Sequence, residues 1–376
     1  MSVVSGEPAP GRVASPRSGA GAVVFAVLGI ALGGLAALLV IAYLALALGL
    51  STLVVGSLLA FIPLIAVLLA IRWVDRWEPE PRWALWFAFL WGAAVSVAIA
   101  LIVDLGVQLA VAAVTPGGAP DEALQAVVQA PVVEEVAKGL GVLLLFAFAR
   151  AHFDGPVDGL VYAATVAGGF AFTENVLYFG AALVEGGAAG LGTTFVVRGI
   201  FSPFAHVLFT ACIGLALGVA ARRGASAGAG GWFLLGLGGA IALHALWNGS
   251  LAFSGDAIGL YVTVQVPIFV AAIVLAVWLR RQEVRITRAA LAEYAAAGWF
   301  HASEIDLLAT TRGRRDALRW ARGMRPPRAA EMRRLITDAT HLAFDRHAVA
   351  TGRRRRSDEA ALLARIAADR AALSAR

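Results

Sequence analysis

Glu134, Glu135 and Lys138 are the only charges in a mostly apolar run from Leu124 to Ala149. On insertion scales each such charge costs roughly 2.5–3.5 kcal/mol at the centre of a bilayer helix. A run that keeps three of them close together is therefore expected to use them. Costly groups recur further on: Glu174 and Asn175 after Phe170, then His206, then His244 with Asn248. Amide hydrolysis needs a base to take a proton from water and donors aimed at the developing oxyanion. Paired carboxylates suit the first task, since one can hold a proton while the other stays ionised. Glu134 or Glu135 would activate water, with Lys138 compensating charge. His244 and Asn248, one helical turn apart, would hold a carbonyl or oxyanion. His206 and Glu174 would position the water or bind a metal. Glu134, Glu174, His206 and His244 are the candidate ligands of one divalent metal such as zinc, which in catalytic sites takes three protein ligands and a water. The soluble His-Glu-x-x-His signature is absent, and spacing leaves metal-bound and metal-free water activation equally open.

Blander readings exist. Glu134 and Lys138, four apart, share a helix face and can pair, while Glu135 points about 100° away; such a pair could simply lock helix packing. Intramembrane Glu and His also form relays in proton- or ion-coupled transporters, the main alternative function. Repeat symmetry and Gly/Pro-broken helix pairs would favour a transporter, and the sequence shows neither. A third alternative is a catalytically silent scaffold.

The elements that must carry these groups are apolar helices. The chain is 60% hydrophobic with mean hydropathy +0.78, against about 45–50% apolar residues in soluble domains. Apolar runs fall at about 22–48, 53–71, 83–103, 124–149, 159–184, 194–221, 232–250 and 260–279. They predict an all-α polytopic membrane protein of about eight transmembrane helices, since strand alternation is missing. The loops near 49–52, 115–123, 185–193 and 251–259 hold no Lys or Arg, whereas the alternate connections and both terminal segments do. The positive-inside rule then puts both termini in the cytoplasm. Arg198 is the one basic residue out of pattern. Glu134 is 16 residues from Arg150, Glu174 is 16 from Asp158 and His206 is 16 from Arg222, each roughly 24 Å along a helix. His244 and Asn248 follow Gly231 by 13 and 17, which brackets the same depth. Four helices of alternating direction therefore place their polar groups in one plane, and a shared polar cavity is the expected result.

Three segments divide the chain: a Gly/Pro/Ser-rich disordered tail over 1–19, a transmembrane domain over 20–279 with its motifs at about 70–280, and a basic helical cytoplasmic tail over 280–376. Residues 1–279 hold 10 Lys/Arg and 14 Asp/Glu, and residues 280–376 hold 21 and 11, a net of −4 followed by +10. In the tail, Leu307, Leu308, Leu318, Leu335, Ile336, Leu342 and Phe344 keep helical spacing, with breaks at Gly298, Gly323, Pro326-Pro327 and Thr351-Gly352. The Arg353–Arg356 block suits anionic lipid, and no motif supports nucleic-acid binding. Trp73, Trp77, Trp83 and Trp86 around Glu78-Pro79-Glu80-Pro81 read as an interfacial aromatic belt with a stiff turn. Asp104 reads as reaching water. The lone Cys212 cannot form an internal disulfide.

The ordered set Glu134-Glu135-x-x-Lys138, Phe170-x-x-x-Glu174-Asn175, His206 and His244-x-x-x-Asn248 resembles the PrsW family of intramembrane proteases, related to the type II CAAX prenyl endopeptidases. Asp75-Arg76-Trp77-Glu78-Pro79-Glu80-Pro81-Arg82 and Asp158-Gly159-Leu160-Val161-Tyr162 are similar to segments of bacterial members. The resemblance covers about 70–280. It implies cleavage of membrane-anchored protein substrates, such as anti-sigma factors, in the bacterial inner membrane. By resemblance, Glu134 and Glu135 are the catalytic carboxylates, His206 is their partner, and His244 and Asn248 are the second polar pair. The prenyl endopeptidases carry a His where this chain has Glu174 with Asn175, so the role of Glu174 does not carry over.

Overall fold

A computed structural model describes residues 20–115, 118–224, 228–253, 255–352 and 358–374. The expected tail over 1–19 and the Arg353–Arg356 block lie outside the described residues. No strand occurs among the described residues, and the fold is all-α. Apolar backbone in lipid must satisfy its own N–H and C=O groups, and helices do so within one segment.

The first helix, α1 (Ala20–Leu48), gives way to α2 (Leu50–Val74) at Gly49. α3 (Arg82–Val114) contains a π-helical turn at Trp91–Ser96. α4 joins Glu122–Leu124, a π turn at Gln125–Gln129 and Ala130–Phe148. α5 (Pro156–Phe195) bends at Gly187, whose φ of 59° lies in the left-handed region that favours glycine. It runs into a π turn at Val196–Phe201, followed by α6 (Ala205–Arg222) and α7 (Ala229–Phe253). α8 spans 257–296 and includes a π turn at Tyr261–Gln265. The last four helices are α9 (Ala302–Leu308), α10 (Thr311–Gly323), α11 (Ala329–Ala350) and α12 (Glu359–Ser374).

Six stretches are long and apolar enough to cross a membrane, against the eight runs expected. Two physical facts account for the difference. α4 is helical but carries Glu134, Glu135 and Lys138, and runs 159–184 and 194–221 fall in one apolar stretch, Pro156–Arg222.

Residues Val24–Glu283 form one compact unit. Lipid tails are as apolar as leucine, so helices in a membrane associate through close packing of small residues. A Cβ on Gly159 would sit 2.0 Å from the carbonyl oxygen of Gly214, and one on Gly214 would sit 2.1 Å from that of Gly159. α5 and α6 thus touch backbone to backbone, which no larger residue would permit. Around that contact Phe87, Leu145, Phe153, Tyr162, Ile213 and Leu217 are buried together. α5 packs on α2, α3 and α6, while α7 packs on α4 and α6.

The turn between α2 and α3 differs from the aromatic belt expected. Trp73 and Trp86 are exposed, but Trp77 and Glu80 are buried. Tyr162 donates its hydroxyl to Oε2 of Glu80, and the Glu80 N–H donates to Asp75 Oδ1 at 2.9 Å. Burial pushes the Asp75 carboxyl up to about 7, against the opposing pull of the Glu80 N–H and Arg72. Burial, then the charge of Asp158, holds Glu80 well above the usual carboxylate range. Asp104 also has partners: it accepts from Gln108 at 2.8 Å and from Gln125 and Gln129 of α4 at 3.2 and 3.3 Å.

The helices from Val284 onward belong to a second compact unit. Leu291, Leu308, Leu335, Ile336, Leu342 and Ile366 form its core, with Leu307 and Leu318 packed against it and Phe344 half-buried. α8 ends before Gly298, α10 ends at Gly323 and α11 begins after Pro326-Pro327, as the breakers predict. The backbone is helical across 280, from Val266 to Ala296.

Candidate active site

Four helices converge on one polar cluster. α4 supplies Glu134, Glu135 and Lys138, α5 supplies Glu174, α6 supplies His206 and Thr210, and α7 supplies His244. The π turn just before Ala130 offsets the register of α4, and a second π turn carries Arg198 in front of α6. Such turns are frequent at functional sites.

Lys138 is fully buried and pairs with both carboxylates of its own helix. Its Nζ lies 3.4 Å from Glu134 Oε2 and 2.5 Å from Glu135 Oε1. The expectation that Glu135 points away from Lys138 is corrected: neighbours three and four apart both fall within reach of one long side chain. The Phe170 ring lies beneath the ammonium at 4.3 Å. Glu135 is fully buried and also accepts from Thr210 at 2.8 Å.

Each imidazole has one nitrogen on a carboxylate and the other turned inward. His244 Nδ1 lies 3.0 Å from Glu135 Oε1, and its Nε2 lies 3.9 Å from Glu134 Oε2. His206 Nε2 lies 2.8 Å from Glu174 Oε2, and its Nδ1 lies 4.0 Å from Glu134 Oε2. The two rings stand perpendicular at 5.2 Å, and Phe209 stacks on His244 at 4.7 Å. A carboxylate behind an imidazole fixes its tautomer and directs the opposite lone pair. Here both lone pairs would face Glu134. The Glu134 and His206 side chains are each 11% exposed, whereas those of Glu135 and Lys138 are 0% exposed. The cluster is therefore less enclosed toward Glu134, His206, Glu174 and Arg198 than toward Glu135 and Lys138.

Glu134, His206 and His244 each offer one donor atom within 4.8 Å of the others. Two neutral imidazoles and a carboxylate match the three-ligand set of a catalytic zinc site. Charge agrees: three carboxylates (Glu134, Glu135, Glu174) face two cations, Lys138 and Arg198, which leaves negative charge for a divalent ion. Lys138 Nζ lies 3.2 Å from His206 Nδ1, and that contact would have to yield. The donor set fits a metal on those terms. Glu174, a candidate ligand by sequence, lies instead behind His206.

Arg198 is the residue the sequence pointed to without revealing its use. Its Nη2 donates to Glu174 Oε2, its Nε donates to Asn175 Oδ1 at 2.9 Å, and its guanidinium lies 4.0 Å over the Tyr178 ring. The signal was its position as the sole basic residue in a loop series free of them. Asn175 therefore serves Arg198. Asn248 makes a different contact from the oxyanion pairing expected with His244: its Nδ2 donates to the Ala126 carbonyl at 2.7 Å. Ala126 lies in the π turn of α4.

Comparison with known proteins follows the same helices. The family model described as PrsW family intramembrane metalloprotease matches residues 80–276. Protease PrsW of Geobacillus kaustophilus (strain HTA426) is 33% identical over 146 residues, covering 39% of this chain and 58% of that protein. Protease PrsW of Clostridioides difficile (strain 630) is 33% identical over 157 residues, covering 42% of this chain and 62% of that protein. The chain thus spans about three fifths of the length of these relatives. No solved structure matches it.

Proposed function

Because the chain belongs to the PrsW family of intramembrane metalloproteases, we propose that it is an endopeptidase cleaving membrane-anchored proteins within or beside the bilayer. One observation carries this reading: Glu134 Oε2 faces His206 Nδ1 at 4.0 Å and His244 Nε2 at 3.9 Å, and each ring is backed by a second carboxylate.

Glu134 Oε2 holds the attacking water and takes its proton. Lys138, 3.4 Å away, balances the negative charge and steadies the carboxylate. Glu135 orients His244 through Nδ1, and Glu174, clamped by Arg198, orients His206 through Nε2. The inward imidazole nitrogens are thereby left as acceptors beside Glu134, placed to hold a metal or a water proton. In a metal-bound form Glu134, His206 and His244 would instead be the ligands, and the metal would acidify the water and polarise a carbonyl. Asn248 sets α7 against the π turn of α4.

Exposure rises toward Glu134, His206 and Glu174, so an unwound backbone segment of a substrate helix would enter from that side. An anti-sigma factor is one such substrate. The resemblance to the PrsW family supports a location in the bacterial inner membrane, and the basic residues support both termini cytoplasmic, with a transmembrane protease domain over 20–279 and a cytoplasmic tail over 280–376. Co-expression with a tagged membrane-anchored substrate tests the reading. Glu134→Ala and Glu135→Ala should abolish cleavage while the protein still inserts, and full cleavage by both variants would remove the proposal.

A further inference from the structure

A cavity of about 440 Å³ lies between α6 and α8, at the opposite end of α6 from His206. Its volume falls in the range of about 300–1,000 Å³ typical of ligand pockets. Leu215 and Val219 of α6 face Leu275 and Leu279 of α8 along its walls. Arg222 and Arg223 stand at one end, where Arg222 Nη1 lies 3.5 Å from Gln282 Oε1. Leu215 precedes Arg222, and Leu275 precedes Gln282, by seven residues each, about 10 Å along a helix. The cavity is therefore amphipathic along its length, with guanidinium heads at the mouth and aliphatic walls a chain's depth below.

Two guanidiniums, Arg222 and Arg223, line the mouth, and the carboxylates Asp154, Asp158 and Glu283 act near them through space. Glu283, next after Gln282, attracts Arg222 through space. Arg223 is exposed and rests on the Trp232 ring at 5.0 Å. Trp278, which also lines the cavity, is 48% exposed. Tryptophan and arginine at the end of apolar helices mark headgroup level, and basic pockets between helices bind anionic headgroups.

We propose that this cavity binds one anionic phospholipid. The diester phosphate lies against Arg222 and Arg223, with Gln282 beside it, and one acyl chain runs between α6 and α8. A free phosphate has no use for the aliphatic walls, and a zwitterionic lipid brings its own cation to the two arginines.

The test uses the purified full chain in phosphatidylcholine nanodiscs doped with phosphatidylglycerol, with bound lipid counted by native mass spectrometry. Wild type should retain phosphatidylglycerol over phosphatidylcholine. R222Q/R223Q should weaken phosphatidylglycerol about 30-fold, from two surface cations each worth roughly a fivefold change, and leave phosphatidylcholine unchanged. Val219→Trp, which fills the walls and keeps both arginines, should also expel the bound lipid. Equal retention of the two lipids by wild type overturns the proposal, as does an unchanged preference in R222Q/R223Q. Retention by Val219→Trp refutes the chain placement, and displacement by equimolar inorganic phosphate shows that only the headgroup was held. None of these readouts requires peptidase activity, so this inference and the protease reading fail separately.

Discussion

His244 Nδ1 lies 3.0 Å from Glu135 Oε1, and that contact turns His244 Nε2 toward Glu134 at 3.9 Å. The two adjacent carboxylates thus have separate duties. Glu135 is enclosed by Lys138, Thr210 and His244, while Glu134 faces the accessible side.

Separate duties predict separate mutant behaviour. Glu134→Gln removes the base and should abolish cleavage of a membrane-anchored reporter. Glu135→Gln keeps shape and an acceptor but loses the charge opposite Lys138 and His244. Removing a partner that orients such a ligand lowers activity about 10–100-fold. Residual cleavage by Glu135→Gln above that of Glu134→Gln is the expected order, and the reverse order in a membrane-extract assay would exchange the two roles.

Metal content gives a second test. Chain purified without chelator should carry about one divalent ion by elemental analysis, and His206→Ala or His244→Ala should carry none. Glu174→Gln, which only supports His206, should weaken binding about 10–100-fold. Identical metal content in wild type and both histidine variants would show that these nitrogens are not ligands.

Arg198 reaches the cluster through Glu174, so its loss should act in proportion to that link. Arg198→Ala leaves a largely buried Glu174 without its cation, and breaking one partner of a buried pair costs about 3–5 kcal/mol. The expected result is a lowered unfolding midpoint with reduced cleavage. Arg198→Lys restores charge without the fork that also reaches Asn175, and should recover stability more fully than activity. Equal stability of Arg198→Ala and wild type would show that the clamp is not needed.

Depth counting along the helices made the site legible, because 1.5 Å per residue holds for any helix and Glu134, Glu174 and His206 each lie 16 residues from a charged boundary residue. Direction around the helix was less legible. The π turns at Gln125–Gln129 and Val196–Phe201 insert an extra residue per turn, and composition gives no sign of them. That shift brings Arg198 onto Glu174 and gives Asn248 the Ala126 carbonyl in place of an oxyanion. The buried Glu80 was equally hidden, since a Tyr162 hydroxyl 82 residues away satisfies it and no local pattern encodes so distant a partner.

Asn248 is the next discriminating position. Its bond to Ala126 joins α7 to α4, and side-chain hydrogen bonds between membrane helices average about 0.6 kcal/mol. Asn248→Ala should cost about that much stability and keep measurable cleavage. A loss of cleavage as complete as that of Glu134→Ala, at unchanged stability, would put Asn248 back at the reacting carbonyl.

The turn after α2 supplies a pH test remote from the cluster. Burial raises the folded Asp75 carboxyl to about 7 from 3.8, so the unfolded chain gives up this proton first as pH rises. Between about pH 4 and pH 7 the native state holds a proton that the unfolded state has released. The contribution of Asp75 to stability is therefore fully present below about pH 4, falls through that window and is lost above about pH 7. Asp75 is half-exposed, so solvent screening reduces the effect to about 1–2 kcal/mol. Asp75→Asn removes the titration yet keeps a carbonyl for the Glu80 N–H. It should raise the unfolding midpoint in detergent at pH 8 and leave it unchanged at pH 4, flattening the slope between them. Parallel slopes for variant and wild type across pH 4, 6 and 8 would mean that Asp75 is solvated and that another group, Glu80 first among them, sets the pH response.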